Sequence, residues 1–218
     1  MVTFEDIKRN SSIRVYIQKA DESLSTLGYT EHSFAHVTRV AETAKYILKT
    51  LNFSEHDIEL VQIAAYLHDI GNLVNRTEHS QSGAIMAFRI LDHMDMAAED
   101  IATIVTAIGN HDEGTGIPVN PIAAALILAD KSDVRRSRVR NTDTTTFDIH
   151  DRVNFSVEKS ALTIDENKSI ILSIRIDTKY SSVMDYFEIF LERMILCRKA
   201  AETLGLTFRL VINDQNIL

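Results

Sequence analysis

The chain is poor in the residues that interrupt helices and in the residue that cross-links secreted proteins. Its 218 residues include two prolines, seven glycines and one cysteine. So few helix breakers favour long helices. A single cysteine excludes an intramolecular disulfide, which is typical of a reducing cytoplasm. Because Cys197 falls in an amphipathic helical pattern, we expect a small buried core residue and not a nucleophile.

Long apolar runs and an excess of positive charge are also missing. No stretch approaches the roughly 18 apolar residues that a membrane span needs, and the first segment, MVTFEDIKRN, is polar, unlike a signal peptide. The formal net charge is −8, which opposes attraction to nucleic acid or to an anionic membrane surface. We therefore expect a cytoplasmic, soluble protein with no membrane or nucleic-acid partner. Whether it forms a homodimer stays open.

Apolar residues recur at helical intervals through most of the first 130 positions. A further helix begins at Asn120-Pro121, because Asn is a good N-cap and Pro suits the first helical position. Before it, the spacing predicts helices over about 11–28, 31–51, 54–71, 80–95 and 98–110.

The pattern changes near residue 150. The segments 153–164 and 170–177 are predicted as strands joined by the connection 165–168, and a helix over about 182–204 is followed by a third strand at 207–213. We therefore predict a mainly α fold. It consists of a helical bundle over residues 1–148 and a small α+β domain over 149–218 with β-β-α-β order.

Several ionisable residues fall within or beside these apolar helices. His68 and Asp69 come near the end of one apolar helix, and Asp130 ends another. Buried ionisable groups are costly unless they are paired or bind a metal. Neighbouring side chains on a helix diverge by about 100°, so a metal centre between helices is one way to use both members of the His-Asp pair. His36, His79 and His111 lie on or at the ends of adjacent predicted helices, where such a centre is assembled in helical bundles.

Five local motifs contain these residues in a fixed order. They are HVTRV at 36–40, YLHDIGN at 66–72, EHSQSGA at 78–84, AIGNHDEGTG at 107–116 and LILADKSD at 126–133. The first, second and last resemble the ligand pattern of the HD superfamily of metal-dependent phosphohydrolases. The other two resemble the branch that adds two histidines, to which bacterial dinucleoside-tetraphosphate hydrolases belong. The resemblance covers about residues 30–140.

This resemblance implies an HD-domain bundle with two divalent metal ions. One ion would be bound by His36, His68, Asp69 and Asp130, and the catalytic Asp69 would bridge to a second ion held by His79 and His111. A hydroxide between the ions would attack the phosphorus of a phosphate ester or phosphoanhydride. Imidazole and carboxylate ligands suit Fe or Mn best, with Zn, Ni and Mg as alternatives. The implied substrate is a small phosphorylated molecule, a nucleotide in particular.

One position departs from the family pattern. Many relatives carry Lys where this chain has Asn72, so another cation must hold the substrate here, or the substrate differs. If the last helix continues past Asp130, Lys131, Arg135 and Arg138 form one line at positions i, i+4 and i+7. We predict that these three bind substrate phosphate. A solvated or partner-binding face is the alternative.

Other assignments have rivals. His93 competes with His79 as a ligand, and His32 shares the helical face of His36 as a ligand, substrate contact or surface residue. Glu113 is either a residue that orients an imidazole or a loop residue. The alternative function is a metal-bound or degenerate HD module that senses a nucleotide, with the C-terminal unit transmitting the signal or dimerising.

Overall fold

The computed structural model describes residues 2–166 and 168–218, so Met1 and Asn167 of the predicted 165–168 connection lie outside it. The N-terminal part is helical. Its helices are α1 (Phe4–Arg9), α2 (Ser11–Thr26), α3 (Phe34–Thr50), α4 (Glu55–Leu67), α5 (His79–His93), α6 (Ala98–Gly109) and α7 (Pro121–Lys131). Helix α1 was not predicted. It begins with a capping box in which Thr3 and Asp6 exchange side-chain-to-backbone hydrogen bonds.

The core of the bundle lies between α3, α4, α6 and α7, in which α4 and α7 each contact the other three helices. Every side chain of α4 from Leu60 onward and every side chain of α7 after Pro121 is buried, as their continuous apolar sequences predict. Helix α7 begins where expected, because the Asn120 side chain accepts a hydrogen bond from the Ala123 amide at 2.8 Å and Pro121 follows it. In the parts of the chain that the structure describes, no helix is both long and apolar enough to cross a membrane.

The C-terminal part carries one small sheet. Its elements are α8 (Ile149–Ser156), β1 (Val157–Ile164), β2 (Ser169–Ile176), α9 (Val183–Thr203), β3 (Thr207–Ile212) and β4 (Gln215–Asn216). Strand β1 is antiparallel to β2, β2 is parallel to β3, and β3 is antiparallel to β4. The mainly α fold with a C-terminal β-β-α-β unit is therefore confirmed. The division at residue 148 stays a prediction, and α9 packs on both α7 and β3.

The first C-terminal strand begins later than predicted. Residues 153–156 form the end of α8, and β1 starts only at Val157. The side chain of Asp148 accepts a hydrogen bond from the Asp151 amide at 2.8 Å and so caps this helix. An N-cap of this kind favours helix over the following residues, and the Asp148 signal was overlooked.

The predicted line of cations after Asp130 is wrong. Helix α7 ends at Lys131, Arg135 is extended with φ −160° and ψ 147°, and Arg136–Arg138 form a short 3₁₀ turn. The chain turns because Asp133 points inward, where its carboxylate meets Nδ1 of His36 at 2.8 Å. Lys131, Arg135 and Arg138 therefore do not share one helical face.

Candidate metal centre

The His68-Asp69 pair lies at the end of a helix, and both side chains reach one point. Helix α4 stops at Leu67, and His68 follows with helical φ −56° and ψ −37°. The two side chains therefore leave the backbone with much of the divergence that helical neighbours have, and they approach each other at their ends. His68 Nε2 lies 3.3 Å from Asp69 Oδ2.

Gly71 allows the next helix to cross directly over this turn. A Cβ atom at position 71 would lie 2.0 Å from the carbonyl oxygen of His79 and 2.4 Å from the amide nitrogen of Gly83. Only glycine allows so close an approach of two backbones. As a result, the first residue of α5 enters the site, and His79 Nε2 lies 3.5 Å from Asp69 Oδ1.

The six predicted ligands form one buried cluster, and four of them, Asp69, His79, His111 and Asp130, line one end of a cavity. His36 Nε2 lies 3.3 Å from Asp130 Oδ1 and 3.5 Å from Asp69 Oδ2. Two sets of donor atoms lie within 4.8 Å of one another, His36 with His68 and Asp130, and His68 with Asp69 and His111. The two oxygens of Asp69 face different imidazoles, Oδ2 towards His36 and His68 and Oδ1 towards His79.

In each of the four imidazoles, Nδ1 forms a hydrogen bond with an oxygen atom outside the six-residue cluster. The Nδ1 acceptors are Ala65 O for His68 at 2.7 Å, Ile108 O for His111 at 2.6 Å, Arg76 O for His79 at 3.1 Å and Asp133 Oδ2 for His36 at 2.8 Å. A carbonyl or carboxylate oxygen only accepts a hydrogen bond, so Nδ1 carries the proton in each neutral ring. The Nε2 atoms of His36 and His68 are left for a metal, as is usual for ligating histidines, whereas Nε2 of His79 faces Nη1 of Arg76 at 3.4 Å.

The chemistry of this donor set fits divalent ions. Within the described part of the chain, Nε2 of His36 and Nε2 of His68 have no hydrogen-bond partner, although carboxylate oxygens lie 3.3–3.6 Å away. Ligands bound at about 2.1 Å and at right angles would lie about 3 Å apart, close to these separations. Buried, unpartnered polar atoms are costly, and a cation between them would remove that cost.

The charges in the site also call for a cation. Burial lowers the pKa of His68, but the negative charges of Asp69 and Asp130 outweigh it and raise that pKa to about 10. At His111, in contrast, burial dominates and holds the pKa well below its ordinary value. Without an ion, a proton on His68 balances the carboxylates. Metal binding would replace this proton and leave neutral imidazole ligands.

The cavity above the six residues has a volume of about 490 Å³. Its floor is formed by buried side chains, among them Asp69, His111 and Asp130. Its walls come from the 27–32 loop before α3, from α8 and from α9. The C-terminal unit therefore encloses the same cavity as the helical bundle.

Two of the three predicted substrate-binding cations line this cavity. Lys131 Nζ lies 2.8 Å from Asp130 Oδ2, and the buried Arg138 donates from Nε to Glu31 O at 2.8 Å. Arg135 is not among the lining residues, and its Nη2 bonds to Glu31 Oε2 at 2.8 Å.

Sequence reasoning missed two other cations of the cavity, Arg76 and Arg193. Arg193 projects from α9, and its Nε and Nη2 lie 3.3 and 3.2 Å from Glu113 Oε1, while Lys131 Nζ lies 2.5 Å from Glu113 Oε2. Glu113 is thus a loop residue, the second of the two alternatives, and from the turn after α6 it holds two cations. Because Glu113 and Arg193 are 80 residues apart, no local pattern links them.

Asp133 was missed as the partner of His36, although it stands in the LILADKSD motif only three residues after Asp130. The two rival histidines have separate positions. His93 is exposed at the end of α5, whereas His32 lines the cavity and uses Nδ1 on Thr30 O at 2.7 Å.

Comparison with known proteins identifies the class to which this fold and site belong. Residues 33–148, just over half of the chain, match the family described as HD domain. The chain therefore belongs to the HD-domain family.

Two individual proteins are similar to it. One is an uncharacterized protein of Methanocaldococcus jannaschii, 24% identical over 195 aligned residues that cover 78% of this chain and 74% of that protein. The other is the crystal structure of a predicted HD superfamily hydrolase from an uncultured Thermotogales bacterium. The two chains are 23% identical, the match covers 62% of this chain and 75% of the Thermotogales chain, and the TM-score is 0.44.

Proposed function

We propose that this HD-domain protein is a metal-dependent phosphohydrolase. The observation that carries the proposal is the arrangement of the four imidazoles. Each has Nδ1 held by an oxygen acceptor, and Nε2 of His36 and of His68 lies beside two buried carboxylates, while Nε2 of His79 lies beside one. His36, His68, Asp69 and Asp130 would hold one divalent ion, and Asp69, His79 and His111 a second. Bound ions would polarise the phosphoryl oxygens and lower the pKa of a water molecule.

The residues around the floor support a phosphorylated substrate. Lys131, Arg138, Arg76 and Arg193 all line the cavity in a chain of net charge −8. Guanidinium groups bind phosphate through paired hydrogen bonds. Glu113 fixes Lys131 and Arg193 relative to each other, so these cations are oriented before the substrate arrives. We infer that they hold the non-reacting phosphate oxygens.

The size and apolar part of the cavity support a nucleotide as substrate. A volume of about 490 Å³ lies within the range of sites that enclose small organic ligands. The half-buried Ile189 of α9 and the exposed Tyr29 offer surfaces on which a planar base could pack. We propose that the two additional histidines place the chain in the branch that includes dinucleoside-tetraphosphate hydrolases. Iron or manganese is the proposed metal.

A hydrolysis panel tests the proposal. Metal-free protein would be reconstituted with Mn²⁺ or Fe²⁺ and assayed for phosphate release from nucleoside mono-, di- and triphosphates and from dinucleoside polyphosphates. We expect turnover of at least one nucleotide that disappears in Asp69→Ala. Tight nucleotide binding without turnover under every metal condition would instead favour the sensor function. If the protein neither binds nor hydrolyses any nucleotide of the panel, the proposal of a nucleotide substrate is overturned.

A further inference from the structure

The second half of the proposed metal site, formed by His79, His111 and Asp69, already contains a positive group. Arg76 lies in the connection before α5, and its Nη1 is 3.4 Å from His79 Nε2. The same nitrogen lies 3.3 Å from Asn72 Oδ1 and 3.9 Å from Asp69 Oδ1. One guanidinium nitrogen thus approaches two of the atoms that would bind the second ion.

The first half of the site is different. Nε2 of His36 and Nε2 of His68 have no hydrogen-bond partner among the described residues. Lys131 approaches Asp130, but at Oδ2, 2.8 Å away, whereas Asp130 Oδ1 faces His36 at 3.3 Å. No cationic side chain in the described ranges therefore blocks a donor atom of the first half, whereas Arg76 is directed at a donor atom of the second.

An imidazole nitrogen has one lone pair in the ring plane. The lone pair of His79 Nε2 can accept a hydrogen bond from Arg76 or bind a metal ion, but not both. A guanidinium and a divalent ion that both lie beside His79 Nε2 also repel each other, because both are positively charged. Arg76 must therefore turn away before a second ion binds.

The surroundings of Arg76 allow this movement. Its side chain is 30% exposed, and its guanidinium carbon lies 5.8 Å from the centre of the Tyr29 ring, on the rim of the cavity. The face of an aromatic ring is a favourable position for a guanidinium. The Tyr29 ring, which the guanidinium already approaches, can therefore continue to hold it when Nη1 turns away from His79.

We propose that Arg76 is a tethered cation that competes with the second metal ion for His79 and Asp69. The inference rests on the proposed two-metal site. It predicts that the two ions bind in separate steps and that Arg76 sets the difference in affinity between the two steps.

Equilibrium dialysis of metal-free protein against Mn²⁺, with bound metal counted per chain, tests this. In the wild type we expect the first ion to bind at lower free Mn²⁺ than the second. Arg76→Gln removes the charge and should tighten the second step about tenfold, the effect of losing one charge-assisted contact. The first step should stay unchanged. His79→Ala should retain only the first step.

Arg89→Gln is the matched control, because Arg89 is an exposed arginine on α5 and its loss changes the net charge equally. An unchanged or weaker second step in Arg76→Gln, or the same tightening in Arg89→Gln, would overturn the inference and leave the proposed function intact. Absence of Mn²⁺ binding in the wild type and in both arginine variants would overturn the two together. Circular dichroism would establish that each variant is folded.

Discussion

The floor of the cavity and its walls are built from different parts of the chain. The six residues of the floor come from five consecutive helices, α3 to α7, or from the residues directly after them. The walls come from the 27–32 loop, α8 and α9, which are far apart in sequence. The floor is buried and fixed by its own hydrogen bonds, whereas the rim includes exposed residues such as Tyr29 and His150. We infer that the floor carries the chemistry and the walls select the substrate.

The largest effect should come from Asp69, which faces both halves of the floor. In Asp69→Ala we expect loss of metal and a fall in kcat/KM of about 10³-fold or more. The helical circular dichroism spectrum should be kept, because the apolar core does not depend on a metal ion. Activity close to the wild-type level with both ions bound would break the assignment of Asp69 as a bridging ligand.

Gly71 tests whether close backbone contact builds the floor. Gly71→Ala should lower the free energy of unfolding by about 2–4 kcal/mol, because the new methyl group would overlap the backbone of α5. Gly109→Ala is the control, since its Cβ would meet Ala84 at an ordinary 3.6 Å. Chemical denaturation measures both. Equal small changes in the two variants would show that α5 moves at little cost.

Asp133 tests the hydrogen bonds that support the floor. Asp133→Asn should weaken metal binding about 10- to 100-fold, because its carboxylate orients His36 through Nδ1. Arg39→Ala removes an exposed arginine that pairs with the same buried carboxylate at 3.1 Å. Because Asp133 keeps its contact with His36, metal affinity should stay nearly unchanged. Competition with a chelator measures both affinities. Equal metal affinities of the two variants would contradict the role of Asp133 in orienting His36.

The walls should respond differently from the floor. Arg193→Gln should lower kcat/KM about tenfold, mainly through KM, and keep its metal, because a charge-assisted phosphate contact is lost. Arg135→Gln, outside the cavity lining, should leave kcat/KM nearly unchanged. Steady-state kinetics and metal analysis of both variants test these two expectations. Loss of metal in Arg193→Gln would mean that the wall also supports the floor.

The smallest effect concerns pH and the metal-free protein. The raised pKa of His68, about 10 against an ordinary 6.5, means that the folded chain holds this proton more tightly than the unfolded chain. The resulting stability is fully present below pH 6.5 and is lost as the pH rises through about 10. The melting temperature of metal-free protein should therefore fall between pH 7 and pH 10. Metal-free His68→Gln should lack this step, and an identical pH profile in that variant would contradict it.

The floor was more predictable from the sequence than the walls. Each predicted ligand belongs to a short motif on or beside a predicted helix. The rule that buried ionisable groups need a partner points to His68, Asp69 and Asp130, and the resemblance to the HD superfamily implies the full set of six. Asp133 stood inside one of these motifs and was available to the same reasoning. The Glu113–Arg193 pair was not, because it forms only when α9 packs on α7.

Errors at the walls had a physical cause. The cation line from Lys131 to Arg138 assumed that α7 continues, but Asp133 turns inward to His36 and the helix ends. The strand predicted from residue 153 overlooked the N-cap at Asp148. In both cases a polar side chain bound a nearby group and overrode the apolar pattern.

The most direct test of the central claim is a crystal structure of Mn²⁺-loaded protein with anomalous data collected at the manganese edge. We expect two anomalous peaks, one bound by His36, His68, Asp69 and Asp130, the other by Asp69, His79 and His111. With Mn²⁺ in excess, both peaks should be present, and the second should be weaker when Mn²⁺ is limiting. Mn²⁺ bound elsewhere on the chain, with no peak among these six residues, would contradict the account.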